Sequence, residues 1–284
     1  MRIGIVGLGL IGGSLALDFR SQGKAVWGLS RSRTTCELAL SMGAVDTAVT
    51  ALEEIPQLAQ TEIVFVCTPI AQVLPTVQRL ALHLPGHTII TDVASVKGAI
   101  VQSAQAIYAR FVGSHPMAGK AEQGIKAAQL GLFANCPCVV CPSEDVEALA
   151  LVRSLWTGLG MQVYDCDPHT HDQAVAWISH LPVMLGASLI HACQQECDPK
   201  VQYFAQKLAS SGFRDTTRVG GGNPELGRLM AQFNCEAVLT ALSQYQAQLD
   251  HLAQLINQEN WSAVQNYMEN AQTWRSLFLE KSTH

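Results

Sequence analysis

The chain has 284 residues, of which 48% are hydrophobic and only 14% charged, and its formal net charge is −5. That length supplies one large or two ordinary domains, and the charge balance excludes a protein that grips a nucleic-acid backbone through a basic face. The charged share is well below the usual ~25%, so extra burial in an oligomer is expected.

The opening run, "MRIGIVGLGLIGGSLALDF", admits two readings. A secretion signal would need a small-residue cleavage site after the apolar core, and Asp18 follows without one. The order of elements favours a dinucleotide turn. "RIGIV" reads as a buried parallel strand, "SLALDFRSQG" as a helix closed by Gly23, and "KAVWGLS" as a second strand. A strand, a glycine turn and a helix within one βαβ unit is the context that gives GxGxxG its meaning. Gly7 permits the tight turn, Gly9 lets backbone approach a pyrophosphate, and Gly12 lets helix and strand pack closely. Leu8, Leu10 and Ile11 complete the cofactor-binding turn, with the helix N-terminus facing the phosphates.

The end of the second strand selects the cofactor. An acidic residue there would take the ribose hydroxyls of NAD. This chain has "SRSR" instead, so Ser30 and Arg31 are expected to hold a 2′-phosphate, predicting NADP. A solvated basic loop is the alternative.

Further strands and helices alternate along the chain. "EIVFVCTPI" is a strand ending at Thr68 and Pro69, both candidate cofactor contacts, and "AQVLPTVQRLALHL" is a helix. "HTIITDVAS" is a strand and "KGAIVQSAQAIYARF" a helix. "FVGSHPMAG" starts as a strand and breaks into a loop. "CVVCP" and "QVYDC" are strands around the helix "SEDVEALALVRSLWTGLG". This alternation predicts an α/β fold with a Rossmann-type doubly wound parallel sheet, its ligands outside the carboxyl ends of the strands. Thr68, Pro69, Ser95 and His115 all fall just past such ends.

The nine cysteines suit a reducing cytosol, and the spacing of Cys136, Cys138 and Cys141 lacks the paired knuckles of a zinc site, so no metal is expected. Asp92 reads as a strand end, Lys97 as the start of a helix, and Asp165, Asp167, His169 and Asp172 as a solvated hinge.

From Asp172 onward the pattern is almost wholly helical. "QAVAWISHLPVMLGASLIHAC" has no charged residue between Gln173 and Cys193. Its length suits a membrane span, but His180, Pro182 and His191 and the lack of flanking cations favour a helix buried in a dimer core. The expected domains are 1–167, binding the dinucleotide, and 168–284, an all-α dimerisation and substrate domain.

Four motifs in this order, "TDVASVKG", "GSHPMAG", "ISHLP" and "SSGFRDTTRVGGGNPEL", resemble the prephenate/arogenate dehydrogenase family of tyrosine biosynthesis, and the resemblance covers nearly the whole chain. "SRSR" and "FRDTTRVGGGNPELG" are most similar to its NADP-preferring arogenate dehydrogenases of cyanobacterial type. Many prephenate-specific members carry SHLPH, where this chain has Val183 at the last position, a departure that favours arogenate. The resemblance implies a small-molecule substrate, while the apolar helix and low charge fraction point to a homodimer and the cysteines to the cytoplasm. The resemblance also implies oxidation and decarboxylation of a cyclohexadienol, with hydride passing from ring C4 to NADP. His115 would be the catalytic histidine, taking the hydroxyl proton, and Ser95 would bond the same hydroxyl. His180 would contact the ring carboxylate, although a lone histidine on an apolar helix is also an ordinary core residue. Arg214 and Arg218 are both candidates for the side-chain carboxylate, with Arg218 favoured. Asp215 would orient that arginine or meet the ammonium of arogenate, the rival reading being a structural Asp–Arg pair.

Overall fold

The computed structural model describes residues 1–120 and 122–279. β1 (Arg2–Val6) is hydrogen-bonded on both sides, to β2 (Ala25–Leu29) and to β4 (Ile63–Val66). The sheet extends through β3 (Thr47–Val49) on one flank and through β5 (Ile89–Asp92) and β6 (Phe111–Val112) on the other. Its order, β3-β2-β1-β4-β5-β6, is parallel throughout, which is the doubly wound dinucleotide-binding arrangement. Such strands are covered on both faces, and accordingly all four residues of β4 are buried. The covering helices are α1 (Leu10–Ser21), α2 (Arg33–Ser41), α3 (Val73–Ala81) and α4 (Val101–Ile107).

The strands after β6 do not extend this sheet. β7 (Ser114–Pro116) pairs antiparallel with β8 (Pro137–Val140), which pairs parallel with β9 (Gln162–Asp165), in a separate three-stranded sheet. The break falls at Gly113, where a Cβ would lie 2.6 Å from Cγ2 of Val101. The chain squeezes past α4 there and re-pairs. α5 (Val146–Gly158), capped by the Asp145 carboxylate, joins β8 to β9. Its Trp156 meets Phe65 edge-on at 5.4 Å, a contact worth about 0.5–1.5 kcal/mol beyond area burial. The same indole donates to Oγ of Ser114, stitching the second sheet to the first.

α6 (Pro168–Val175) starts on Pro168 with the Asp167 side chain as cap. A π-helical turn (Ala176–His180) follows, and α7 (Leu181–Gln194) continues the run. By length and apolarity alone this stretch is able to cross a membrane. In the fold its middle carries the buried His180. α8 (Pro199–Leu208), α9 (Ser211–Thr217) and α10 (Pro224–Phe233) come next. A Cβ at Gly220 would sit 2.1 Å from the backbone nitrogen of Ala187, so the glycine run lies backbone to backbone on α7. All these elements belong to one compact unit, Met1–Cys235, and a second unit begins at Glu236. The second contains α12 (Trp261–Leu279) and nearly all of α11 (Cys235–Asn257). Trp261, Met268, Trp274 and Phe278 are exposed on α12.

Candidate active site

The glycine turn has the geometry a dinucleotide needs. Gly7 has φ +100°, and a Cβ there would lie 2.5 Å from the carbonyl oxygen of Cys67. A Cβ at Gly12 would lie 2.0 Å from the carbonyl oxygen of Gly7, whereas at Gly9 it would meet nothing within 4 Å. The open side of Gly9 leaves room for a phosphate group directly before the N-terminus of α1, where no side-chain cap is formed among the described residues. Leu8 is buried, and Leu10 and Ile11 are half-buried and pack against the core. Thr68 lies next to it past the end of β4, its buried Oγ1 without a partner among the described residues, and Pro69 is exposed beside it. At the end of β2, Oγ of Ser30 accepts from the Ser32 backbone, and Ser32 caps α2. Arg33 pairs with Glu37. Arg31 is exposed and makes no hydrogen bond among the described residues.

Past β5 the chain runs through Ser95 to Lys97, whose ammonium is fully buried. It donates to Oδ2 of Asp92 and, at 2.8 Å, to the carbonyl oxygen of Ser114. Lys97 does not open a helix as the sequence reading expected, since α4 begins only at Val101. It bolts the end of β5 to the residue before His115.

His115 is inside β7 and only 7% exposed. Its Nδ1 lies 2.9 Å from Nε2 of His171, and Nδ1 of His171 lies 2.8 Å from Oδ1 of Asp172. The Asp172 carboxylate also accepts from the backbone nitrogens of Lys97 and Gly98, each at 2.8 Å. Asp172 is thus a buried anchor, not part of a solvated hinge: both its oxygens are taken up by a turn far away in the chain. Burial, then the neighbouring His171, Lys97 and His180, hold the His115 pKa well below the ordinary 6.5. A neutral imidazole suits a general base.

His180 enters from the π-helical turn, a feature that recurs at functional sites. The Asn234 side chain sits 3.1 Å from its Nδ1, and its Nε2 is buried without a partner among the described residues. Burial lowers its pKa to about 4, although the Asp172 carboxylate and the Ser95 backbone pull the other way. Oγ of Ser95 is also buried and unpartnered. Orphaned polar atoms of this kind cost free energy unless a ligand meets them.

The structure therefore brings Ser95, His115 and His180 into one buried cluster, together with His171, Asp172 and Asn234. The sequence reading missed His171 and Asn234 as site residues and placed Asp172 in the hinge. The adjacent "HD" pair was the one available signal. The arginines stand apart from this network. Nε of Arg214 donates to Asp215 at 3.0 Å, and both side chains are exposed. Arg218 is exposed and makes no hydrogen bond among the described residues.

Residues 15–165 match the model of the prephenate dehydrogenase nucleotide-binding domain, and residues 167–270 that of the prephenate dehydrogenase dimerization domain. The chain belongs to the prephenate dehydrogenase family. It is 30% identical to the prephenate dehydrogenase of Bacillus subtilis over 95% of this chain and 74% of that protein. Its fold matches the crystal structure of Synechocystis arogenate dehydrogenase with a TM-score of 0.86 and 48% identity, covering 98% of this chain and 100% of that one. It also matches prephenate dehydrogenase from A. aeolicus in complex with hydroxyphenyl propionate and NAD+, with a TM-score of 0.92, 27% identity and 98% coverage of both chains. As a member of this family the chain is an oxidoreductase with a nucleotide-binding dehydrogenase domain and a matched dimerization domain.

Proposed function

We propose that this chain is an NADP-dependent arogenate dehydrogenase, converting L-arogenate to L-tyrosine and carbon dioxide. The observation that carries the reading is the buried His115, backed by His171 and Asp172, in a cluster with the Ser95 Oγ and His180 Nε2, which have no partner among the described residues. Bound NADP+ supplies the hydride acceptor. His115 takes the proton of the ring C4 hydroxyl as the hydride leaves C4. Ser95 orients that hydroxyl. The bond to the ring carboxylate then breaks, releasing carbon dioxide and leaving its electron pair in the new aromatic ring, and His115 returns its proton to the ring oxygen to give the phenol. His180 holds that carboxylate through Nε2, which positions the substrate against the coenzyme. Arg214 pairs with Asp215, and Arg218 makes no hydrogen bond among the described residues, which favours Arg218 for the side-chain carboxylate.

NADP is supported by the exposed, unbonded Arg31 and the absence of a carboxylate from "LSRSR" at the end of β2. The two-domain organisation 1–167 and 168–284 follows the change to helical pattern. A homodimer through the helical half is supported by the matched dimerization domain and by exposed apolar side chains such as Ile178, Phe204 and Trp274. Nine free thiols accord with a cytoplasmic location.

Prephenate oxidation to 4-hydroxyphenylpyruvate is the second reading, favoured by the names of the B. subtilis and A. aeolicus relatives. Val183 stands where many prephenate-specific members have a second histidine, which supports arogenate. The test is nucleotide reduction followed by absorbance, with kcat/KM for arogenate and prephenate, each with NADP and NAD. Higher kcat/KM for prephenate, or for NAD, would overturn the respective assignment.

A further inference from the structure

We infer that Asp172 and Asn234 give the two site histidines opposite hydrogen-bonding polarity, so that His115 presents a bare Nε2 and His180 presents an Nε2–H. The inference rests on the reading that both rings face the substrate, and it names two positioning residues, Asp172 and Asn234, with His171 as the link.

The His180 half follows from the count of protons on one carboxamide. Nδ2 of Asn234 donates to the backbone oxygen of Asp172 at 2.8 Å. That bond fixes which end of the amide is nitrogen. The same nitrogen lies 3.1 Å from Nδ1 of His180. A carboxamide nitrogen is a donor only, so its second hydrogen goes to Nδ1, which must be the unprotonated ring nitrogen. The single proton of the neutral ring is then on Nε2, the buried atom without a partner. The other groups that act on the ring are the Asp172 carboxylate, His171 and the Ser95 backbone. His180 is therefore built as a donor, the polarity that a substrate carboxylate or carbonyl requires.

The His115 half follows the same way from a carboxylate. Asp172 accepts two backbone N–H groups and lies 2.8 Å from Nδ1 of His171. His171 Nδ1 is accordingly a protonated atom, and with a single proton on the ring the lone pair is on Nε2. That lone pair lies 2.9 Å from Nδ1 of His115. Two lone pairs do not face each other at that distance, so His115 carries its proton on Nδ1 and leaves Nε2 bare. When Nε2 takes the substrate proton, the resulting imidazolium donates through His171 toward the Asp172 carboxylate. The carboxylate of one residue thus makes a base of His115, while its backbone oxygen, through Asn234, makes a donor of His180.

The test is histidine-labelled 15N spectroscopy of the full-length protein near neutral pH, with His180, His115 and His171 assigned by their loss in single substitutions. The expected wild-type pattern is an unprotonated Nδ1 and protonated Nε2 for His180, and the reverse for His115 and His171. Asn234→Asp puts an acceptor opposite Nδ1 and is expected to move the His180 proton to Nδ1 while His115 stays unchanged. In that variant kcat/KM for the ring substrate is expected to fall roughly 10- to 100-fold, mostly in KM, with unchanged NADP binding. Asn234→Ala, with no donor, is expected to give a mixed His180 tautomer and an intermediate loss. A wild-type His180 already protonated on Nδ1, or lost activity with an unchanged His180 pattern, would overturn the Asn234 role. A doubly protonated His171 would overturn the His115 half. The wild-type spectrum decides both even if an Asn234 variant fails to fold. It needs no substrate, so failure of the arogenate assignment is told apart by the turnover assay alone.

Discussion

Nδ1 of His115 and Nε2 of His171 lie 2.9 Å apart, with both rings buried and nearly perpendicular at 76°. Burial places the His115 pKa well below 6.5, so the ring is neutral across the working range. The acid limb of kcat/KM against pH is therefore expected below pH 6.5. His115→Asn should lower kcat by about 10²–10⁴-fold with an unchanged NADP dissociation constant. An acid limb at or above 6.5, or near-normal turnover in the variant, would remove His115 as the base.

The depressed pKa of His180 makes stability depend on pH. Above its unfolded value of 6.5 the ring is neutral in both states and has no effect. Between 6.5 and about 4 the unfolded chain takes up a proton that the folded chain refuses, so stability falls as pH falls, and the loss is complete below about 4. Urea midpoints measured across this window should drop for the wild type. They should drop less for His180→Gln; an equal slope would show that His180 is not the titrating group.

Gly9 and Gly12 should separate binding from folding. Gly12→Ala places a methyl 2.0 Å from a backbone oxygen and is expected to cost about 1–3 kcal/mol of stability. Gly9→Ala meets nothing in the fold, so its melting temperature should match the wild type while NADP binds roughly tenfold or more weakly. Melting curves and nucleotide titrations check both. Unchanged affinity in Gly9→Ala would argue against a pyrophosphate at that face.

Arg31, at the end of β2, is exposed and makes no hydrogen bond among the described residues. Arg31→Ala should lower kcat/KM with NADP roughly 10-fold or more and leave the NAD value within about 2-fold. A variant that keeps its NADP preference would move the selector elsewhere.

The buried Lys97–Asp92 pair supports the backbone of Ser114, one residue before His115. Lys97→Met removes one partner and leaves a buried carboxylate uncompensated, so a loss of about 3–5 kcal/mol in unfolding free energy is expected. Asp92→Asn/Lys97→Met together should recover part of it. A double variant no more stable than Lys97→Met alone would count against charge as the cause.

Much of this protein was legible locally. The glycine turn, the strand and helix alternation and the "SHP" segment are short-range patterns, because backbone conformation and apolar periodicity are decided within a few residues. The sequence alone therefore determined the dinucleotide fold, the family and the candidates Ser95, His115 and His180. Only the tertiary structure decided that the later strands form their own sheet, since the break depends on Gly113 passing Val101. It alone also decided the partners of the histidines. His115 meets His171 across 56 positions, Asp172 meets the Lys97 backbone across 75, and Asn234 meets His180 across 54. A hydrogen bond forms wherever folding brings donor and acceptor within 3 Å or so, and no periodicity along the chain records that meeting.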